Sequence, residues 1–194
     1  VHQRLGLTKG QYILLSAHRE ENIDTEKNFL DLFRSVNRLA EAYDMPILYS
    51  CHPRSKKFLE QRNFKLDARV RLHEPLGFHD YNCLQMNAFA VVSDSGTLPE
   101  ESSFFLSVGK PFPAVSIRTS TERPEALDAG CFVLAGIDAD SLLQAVEMAV
   151  GMQRAECFGT PVAGYTAENV SMKVARIIQS YTGIVNKMVW RKDG

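Results

Sequence analysis

Short apolar runs alternate with amphipathic segments along most of the chain, and this alternation limits the fold more than any other feature. Most of these runs are apolar over several successive residues, as strands covered on both faces must be. The runs occupy residues 12–17, 46–51, 70–73, 89–93, 112–117 and 131–135. Alternating β and α units of this kind form parallel sheets with right-handed crossovers. We therefore predict an α/β fold, a Rossmann-like parallel sheet with helices on both faces.

Helical spacing of apolar residues is clearest in residues 25–42 and 139–150. The segment 166–188 also has helical spacing and is not followed by another apolar run of the strand type. We expect it to form one or two helices that pack on this domain or on a neighbouring one. The predicted division is a nucleotide-binding sheet domain over residues 1–164 and a helical segment over residues 165–194.

Charge and composition exclude several classes of partner. The net charge of −1 over 194 residues offers no basic excess for nucleic acid or for a membrane surface. No stretch reaches the roughly 20 apolar residues of a membrane span. The four cysteines are widely spaced and form no CxxC pair, which indicates reduced thiols in a cytoplasmic protein rather than a metal site. Because the sequence begins with Val1, we expect a longer parent protein.

A turn of small residues follows the fourth apolar run, with the sequence SDSGT at residues 93–97. A helix is expected to begin near Leu98 or Pro99. Free N–H groups at a helix start, together with the hydroxyls of Ser95 and Thr97, are suited to bind phosphate. The alternative is a simple N-cap, in which these hydroxyls only satisfy backbone donors.

Two carboxylates, Glu100 and Glu101, fall in the first turn of this helix. Both are explained by the helix dipole alone. One of them is also placed to accept hydrogen bonds from a ribose diol. Adjacent helical residues point about 100° apart, so only one faces the ligand.

Further polar residues follow other strands. His18 and Arg19 come directly after the first run and offer a proton donor beside a cation, or else a solvated loop. Arg118 follows the fifth run, where a phosphate and a surface ion pair are alternative partners. Thr121 or Ser120 is expected to cap a helix that carries Glu122 and Arg123.

The loop at residues 74–81 adds two aromatic residues that either frame a flat base or pack in the core. All of these positions lie at the carboxyl edge of one predicted sheet, which is where ligands bind in such folds. Together they predict a nucleotide diphosphate site.

Four motifs in this order resemble the non-hydrolysing UDP-N-acetylglucosamine 2-epimerases. They are AHREEN at 17–22, EPLGFHDY at 74–81, SDSGTLPEES at 93–102 and RTSTERPEALDAG at 118–130. The family has the two-domain GT-B architecture, with the active site between the domains. The resemblance implies that this chain is the C-terminal domain with its terminal helices, and that the N-terminal domain is not part of it.

The resemblance also implies roles for individual residues. Ser95, Gly96 and Thr97 would hold the diphosphate of a UDP-linked amino sugar. Glu101, rather than Glu100, would hold the ribose.

The remaining implied contacts surround that position. Arg118 would contact phosphate or the adjacent loop. Leu76, through its backbone, and Tyr81 would border the uracil. His18 would be the catalytic residue of this chain, near the leaving phosphate and the sugar, as a binder or proton donor.

The implied reaction inverts C2 of a UDP-linked 2-acetamido sugar by elimination and re-addition of UDP, for bacterial surface polysaccharide. The family's acid/base carboxylates lie on the absent domain, so this chain supplies no assigned base. We expect no cofactor, no metal, and a homodimer of the full-length enzyme. Two other activities stay open at this point, a GT-B glycosyltransferase that uses a UDP-sugar and a non-catalytic nucleotide-sugar sensor.

This chain departs from the commonest family form at two of the motifs. It has His18-Arg19-Glu20-Glu21 in place of HRRE, and Ser95-Gly96-Thr97 in place of SGG. SDSGTLPEESS at 93–103, together with FPAVSIRTSTERPE at 112–125, resembles the subgroup that acts on 6-deoxy sugars. Those enzymes convert UDP-2-acetamido-2,6-dideoxy-L-talose to UDP-N-acetyl-L-fucosamine. The segment CHPRS around His52 also departs from the pattern at the allosteric site of some members, which argues against regulation by that route.

Overall fold

The computed structural model describes residues 1–192 and places one strand in each predicted apolar run. The strands are β1 Ile13–Ser16, β2 Ile47–Ser50, β3 Val70–His73, β4 Ala90–Ser93, β5 Ala114–Ser116 and β6 Val133–Leu134. They form one sheet in the order β3-β2-β1-β4-β5-β6, and every neighbouring pair is parallel. The prediction of a Rossmann-like parallel sheet is confirmed.

The strand order reverses direction between β1 and β4. The chain adds β2 and β3 on one side of β1, then returns to the other side to add β4, β5 and β6. β1 and β4 are in direct register, from Ile13 opposite Ala90 to Ser16 opposite Ser93. Loops that leave the two strands at this point diverge to opposite sides, which opens a crevice at their carboxyl ends.

Nine α-helices connect or follow the strands within residues 1–192. They are α1 His2–Leu5, α2 Glu20–Ile23, α3 Glu26–Tyr43, α4 Pro53–Gln61, α5 Phe78–Gln85, α6 Leu98–Ser107, α7 Pro124–Asp128, α8 Ala139–Arg154 and α9 Val170–Met188. The hydroxyl of Thr25 accepts the Asn28 N–H at the start of α3, and Asp138 accepts the Ser141 N–H at the start of α8. Each of these side chains satisfies an N–H that has no partner inside its helix, so both helices begin at capped positions.

Both faces of the sheet are covered, which explains the continuously apolar strands. Ile13 and Leu15 on β1 pack in one core with Phe33 of α3 and Val146 of α8. Leu14 points to the opposite face and is equally buried.

The chain divides into two compact units. The first spans Val1–Val162 and contains the sheet, and the second begins at Ala163. The second consists of a 3₁₀ turn at Ala163–Tyr165 and α9, none of whose residues is buried. Among the described residues, no helix combines the length and apolar content needed to cross a membrane.

Candidate functional site

The loops after β1 and β4 are joined by the side chain of Asp94. This carboxylate is fully buried, and its Oδ2 accepts the backbone N–H groups of His18 and Arg19, both at 2.8 Å. The same oxygen accepts the side-chain amide of Asn22 at 3.2 Å. Hydrogen bonds to a charged acceptor are the stronger kind, so Asp94 fixes the first loop on the second.

Asn22 extends this connection to a third strand. Its Nδ2 also donates to the carbonyl of Ile117, directly after β5, at 3.1 Å. Asn22 is 1% exposed, so water cannot replace its amide as the donor to Asp94 or to the Ile117 carbonyl. The carboxyl ends of β1, β4 and β5 are therefore held as one unit.

The imidazole of His18 lines an open cavity of about 670 Å³. Its Nδ1 is 3.4 Å from Oδ1 of Asp94 and 3.4 Å from the hydroxyl of Ser16. The side chain is 44% exposed, so the ring is anchored on one edge and open on the other. A cavity of this size accommodates part of a nucleotide sugar.

The start of α6 has no side-chain N-cap hydrogen bond, and the hydroxyls of Ser95 and Thr97 bond to each other instead. Thr97 occupies the N-cap position, yet its hydroxyl accepts no helix N–H. The Ser95 hydroxyl accepts the Thr97 N–H at 3.3 Å and lies 2.9 Å from the Thr97 hydroxyl. Within residues 1–192 the N–H of Gly96 makes no hydrogen bond. The Thr97 hydroxyl donates to Glu101, so the Ser95 hydroxyl donates to Thr97. The N–H of Gly96 is thus the free donor beside the helix start, and the two hydroxyls become donors to a phosphate when they turn toward it.

Gly96 leaves space that the Arg19 guanidinium uses. A Cβ at position 96 would lie 2.9 Å from Nη2 of Arg19. The Nε of Arg19 donates to the carbonyl of Asp94 at 2.9 Å, which holds this cation over the turn. A fixed positive charge beside the helix start favours an anion there.

The two glutamates of α6 have different partners. Glu101 accepts the Thr97 hydroxyl at 2.7 Å on Oε1, and the buried amide of Gln85 at 2.7 Å on Oε2. Glu100 is ion-paired with Arg123 at 2.7 Å. Only Glu101 faces the hydroxyl groups of the loop, and each of its oxygens retains a second lone pair for a ligand.

Tyr81 lies on α5, the helix whose Gln85 donates to Glu101. Burial raises the pKa of the Tyr81 phenol, and the charge of Glu101 raises it further. Leu76 lies half-buried in the loop that precedes α5. The structure therefore brings the predicted base-binding loop next to the predicted ribose carboxylate.

Arg118 is placed differently from a free phosphate ligand. Its side chain is 6% exposed, and its guanidinium makes two hydrogen bonds to Glu122 and one to Glu21 at 3.2 Å. The hydrogen bonds from Arg118 lower the pKa of the Glu122 carboxyl to about 2. In this arrangement the arginine binds the adjacent loop.

The expected cap after Arg118 is shifted. Thr121 accepts the N–H of Arg123 rather than a helix N–H, and α7 begins only at Pro124. The expectation of a helix that carries Glu122 and Arg123 was wrong, because proline with its fixed φ is favoured in the first turn and defines a later start.

Sequence reasoning missed three side chains that build this site: Asp94, Asn22 and Gln85. Asp94 had a visible signal, since a carboxylate directly after a buried strand needs several donors. Asn22 and Gln85 gave no local signal in the sequence, because their partners Asp94 and Glu101 are 72 and 16 residues away.

Comparison with known proteins gives a family. Residues 1–179 match the family model described as UDP-N-acetylglucosamine 2-epimerase. The UDP-N-acetylglucosamine 2-epimerase of Methanocaldococcus jannaschii is 33% identical over 147 residues, which are 74% of this chain and 39% of that protein.

Two solved structures are similar over most of the chain. The UDP-N-acetylglucosamine 2-epimerase of Rickettsia bellii has a TM-score of 0.81 and 36% identity, covering 98% of this chain and 50% of that one. The Methanocaldococcus jannaschii enzyme, in complex with UDP-GlcNAc and UDP, has a TM-score of 0.72 and 30% identity, covering 87% and 45%.

The chain spans about half the length of the relatives it matches, or less. The fold class predicted from sequence, one Rossmann-like domain of a GT-B protein, is confirmed by these structures. The chain belongs to the UDP-N-acetylglucosamine 2-epimerase family.

Proposed function

We propose that this chain is the UDP-binding half of an isomerase that inverts C2 of a UDP-linked 2-acetamido sugar. The observation that carries the proposal is the set of side chains gathered where β1 and β4 diverge. The free N–H of Gly96, the Ser95 hydroxyl and the Arg19 cation lie on one side of this point, and Glu101 lies one helical turn after Thr97. That order, anion site then carboxylate, matches the order of diphosphate and ribose in UDP.

The reaction removes the C2 proton while UDP leaves C1, and UDP returns as C2 is reprotonated on the other face. The residues of this chain act on the leaving group. Negative charge grows on the diphosphate as the bond to C1 breaks, and fixed donors at the start of α6 with Arg19 stabilise it without reorganising. His18, 44% exposed and open to the cavity, is placed to bind the leaving phosphate or to exchange a proton with it.

The test of the proposal uses the full-length enzyme with UDP-GlcNAc, or a 6-deoxy analogue, and no acceptor. We expect the C2 epimer to form, with incorporation of solvent deuterium at C2. Tight binding without any epimer would contradict the proposal and indicate a sensor or a glycosyltransferase that lacks its acceptor.

The 194-residue chain alone is expected to bind UDP and to leave C2 untouched. The described sheet and its core are complete around the UDP-binding loops, whereas the resemblance places the acid/base carboxylates on another domain. Calorimetric titration with UDP measures the first expectation. Proton NMR of UDP-GlcNAc in D₂O measures the second, and loss of the H2 signal in the presence of this chain would contradict it.

Gly96→Ala is expected to weaken UDP binding roughly threefold to tenfold, or about 0.7–1.4 kcal/mol. The new methyl group would meet Nη2 of Arg19 and push that cation away from the helix start. The free energy of unfolding should change by less than about 1 kcal/mol, because the displaced atom ends a flexible side chain. The measurements are calorimetric titration and thermal unfolding.

The matched control is Gly151→Ala, where the added Cβ meets no heavy atom within 4 Å. It should leave UDP affinity unchanged. Equal affinities for wild type and Gly96→Ala would show that Arg19 is not part of the anion site.

The finer assignments rest on the resemblance. We propose a 6-deoxy UDP-sugar as substrate, on the strength of SDSGTLPEESS and FPAVSIRTSTERPE, and a role in capsule or O-antigen synthesis. We place the full-length enzyme in the cytoplasm as a homodimer. The proposed UDP-binding residues are His18, Leu76, Tyr81, Ser95, Gly96, Thr97 and Glu101. Arg118 is proposed to contact the phosphate or the adjacent loop, and its ion pairs with Glu122 and Glu21 favour the loop. The division at residues 1–164 and 165–194 likewise stays a proposal, with α9 packing on this domain or on the N-terminal one.

A further inference from the structure

We propose that Asp94 is a positioning residue for His18, fixing the ring so that Nε2 is the atom that meets the ligand. This rests on the proposed function of His18 at the leaving phosphate. The carboxylate of Asp94 has one oxygen, Oδ1, that is not used to hold the loop after β1. Oδ2 takes three donors from the first loop, whereas Oδ1 is buried and makes no hydrogen bond within residues 1–192.

Oδ1 of Asp94 lies 3.4 Å from Nδ1 of His18, and the Asp94 side chain is fully buried. A buried carboxylate oxygen without a donor is costly, so a proton on Nδ1 that points at it is favoured. In a neutral imidazole that proton leaves Nε2 as the free acceptor. Nε2 lies on the other edge of the ring, and the side chain is exposed to the cavity.

Ser16 offers the competing arrangement. Its hydroxyl also lies 3.4 Å from Nδ1 and would favour the opposite tautomer if it donated a proton to that nitrogen. The buried charge of Asp94 outweighs this neutral hydroxyl, because charge-assisted hydrogen bonds are about twice as strong as neutral ones. His18 then exchanges protons with the ligand through Nε2, and Asp94 keeps the ring in that orientation.

The tautomer of His18 is measured by long-range ¹H–¹⁵N NMR on the ¹⁵N-histidine-labelled chain, at a pH where the ring is neutral. Wild type is expected to carry the proton on Nδ1. Ser16→Ala should keep that tautomer, while Asp94→Asn should reverse it. An asparagine oxygen can still accept the backbone N–H groups of His18 and Arg19, and its amide would then donate to Nδ1.

A wild-type ring protonated on Nε2, or an unchanged tautomer in Asp94→Asn, would overturn the proposal. If Asp94→Asn does not fold, the wild-type and Ser16→Ala spectra decide. Loss of the Nδ1-protonated tautomer in Ser16→Ala would contradict the positioning role of Asp94, and its retention would support that role. Titration with UDP separates this inference from the proposed function. A shift of the Nε2 resonance supports both, whereas the Nδ1 tautomer without any response to UDP keeps the positioning role and removes the proposed function of His18.

Discussion

Glu101→Gln is expected to weaken UDP binding by roughly tenfold to a hundredfold, while Glu100→Gln leaves the affinity within about twofold. Hydrogen bonds from ribose hydroxyls to a charged carboxylate contribute about 1.5–3 kcal/mol, which corresponds to that loss. The glutamine preserves the size of the side chain and can still accept the amide of Gln85. Glu100 is a matched control because it occupies the same helical turn but is paired with Arg123.

Calorimetric titration with UDP and with 2′,3′-dideoxy-UDP measures this effect. Wild type should bind the dideoxy ligand poorly, and Glu101→Gln should narrow the difference between the two ligands. Equal losses for both glutamate variants, or no difference between the ligands, would contradict the ribose assignment. The helix dipole alone would then explain both carboxylates.

Asn22→Ala is expected to lower the free energy of unfolding by about 2–4 kcal/mol. The substitution leaves the buried carbonyl of Ile117 without this donor and removes one of three donors from Asp94. Loss of a neutral hydrogen bond of about 1 kcal/mol adds to loss of one to a charged group, about 1.5–3 kcal/mol. Thermal and urea unfolding measure it, with a fall in Tm of about 5–15 °C for a chain of this size.

Asn28→Ala serves as the control for this stability effect. Asn28 also donates its side-chain amide to a backbone carbonyl, that of Glu21 at 2.7 Å, but this hydrogen bond is exposed to solvent. Its replacement should cost less than about 1 kcal/mol, since water can take the place of the lost donor. Similar losses for the two variants would show that the Asn22 bridge does not stabilise the joined strand ends.

The fold was predictable because a strand buried on both faces of the sheet requires apolar residues at successive positions. Residues such as Leu14 and Leu15 point to opposite faces, and both must be apolar, so most strands are visible as short continuous runs. β3, at the edge of the sheet, is the exception, since its Arg71 and Leu72 are exposed. The strand order was not predictable in the same way. The sequence of residues 90–93 does not indicate whether they pair with β1 or with β3, because strand pairing depends on long-range packing.

The site was predictable in its loops and less so in its contacts. Small residues and hydroxyls near Gly96 indicated a helix start suited to phosphate, and adjacent carboxylates indicated one ligand-facing acid. Which partner each side chain takes required coordinates, as Arg118 shows by binding Glu122 and as Gln85 shows by supporting Glu101. That Ser95, Glu101 and their neighbours contact UDP stays a prediction.

The pairing of β1 with β4 also determines when the site can form during synthesis and folding. His18 leaves the ribosome long before Asp94, and a nascent chain that ends at β3 has neither the acid that holds the first loop nor the helix that would receive a phosphate. Distant pairings of this kind form slowly because the loop between them must close first. If UDP binds at this site, it therefore has no early intermediate to bind. We then expect UDP to leave the refolding rate unchanged and to slow the unfolding of the folded chain, each measured in a separate kinetic experiment.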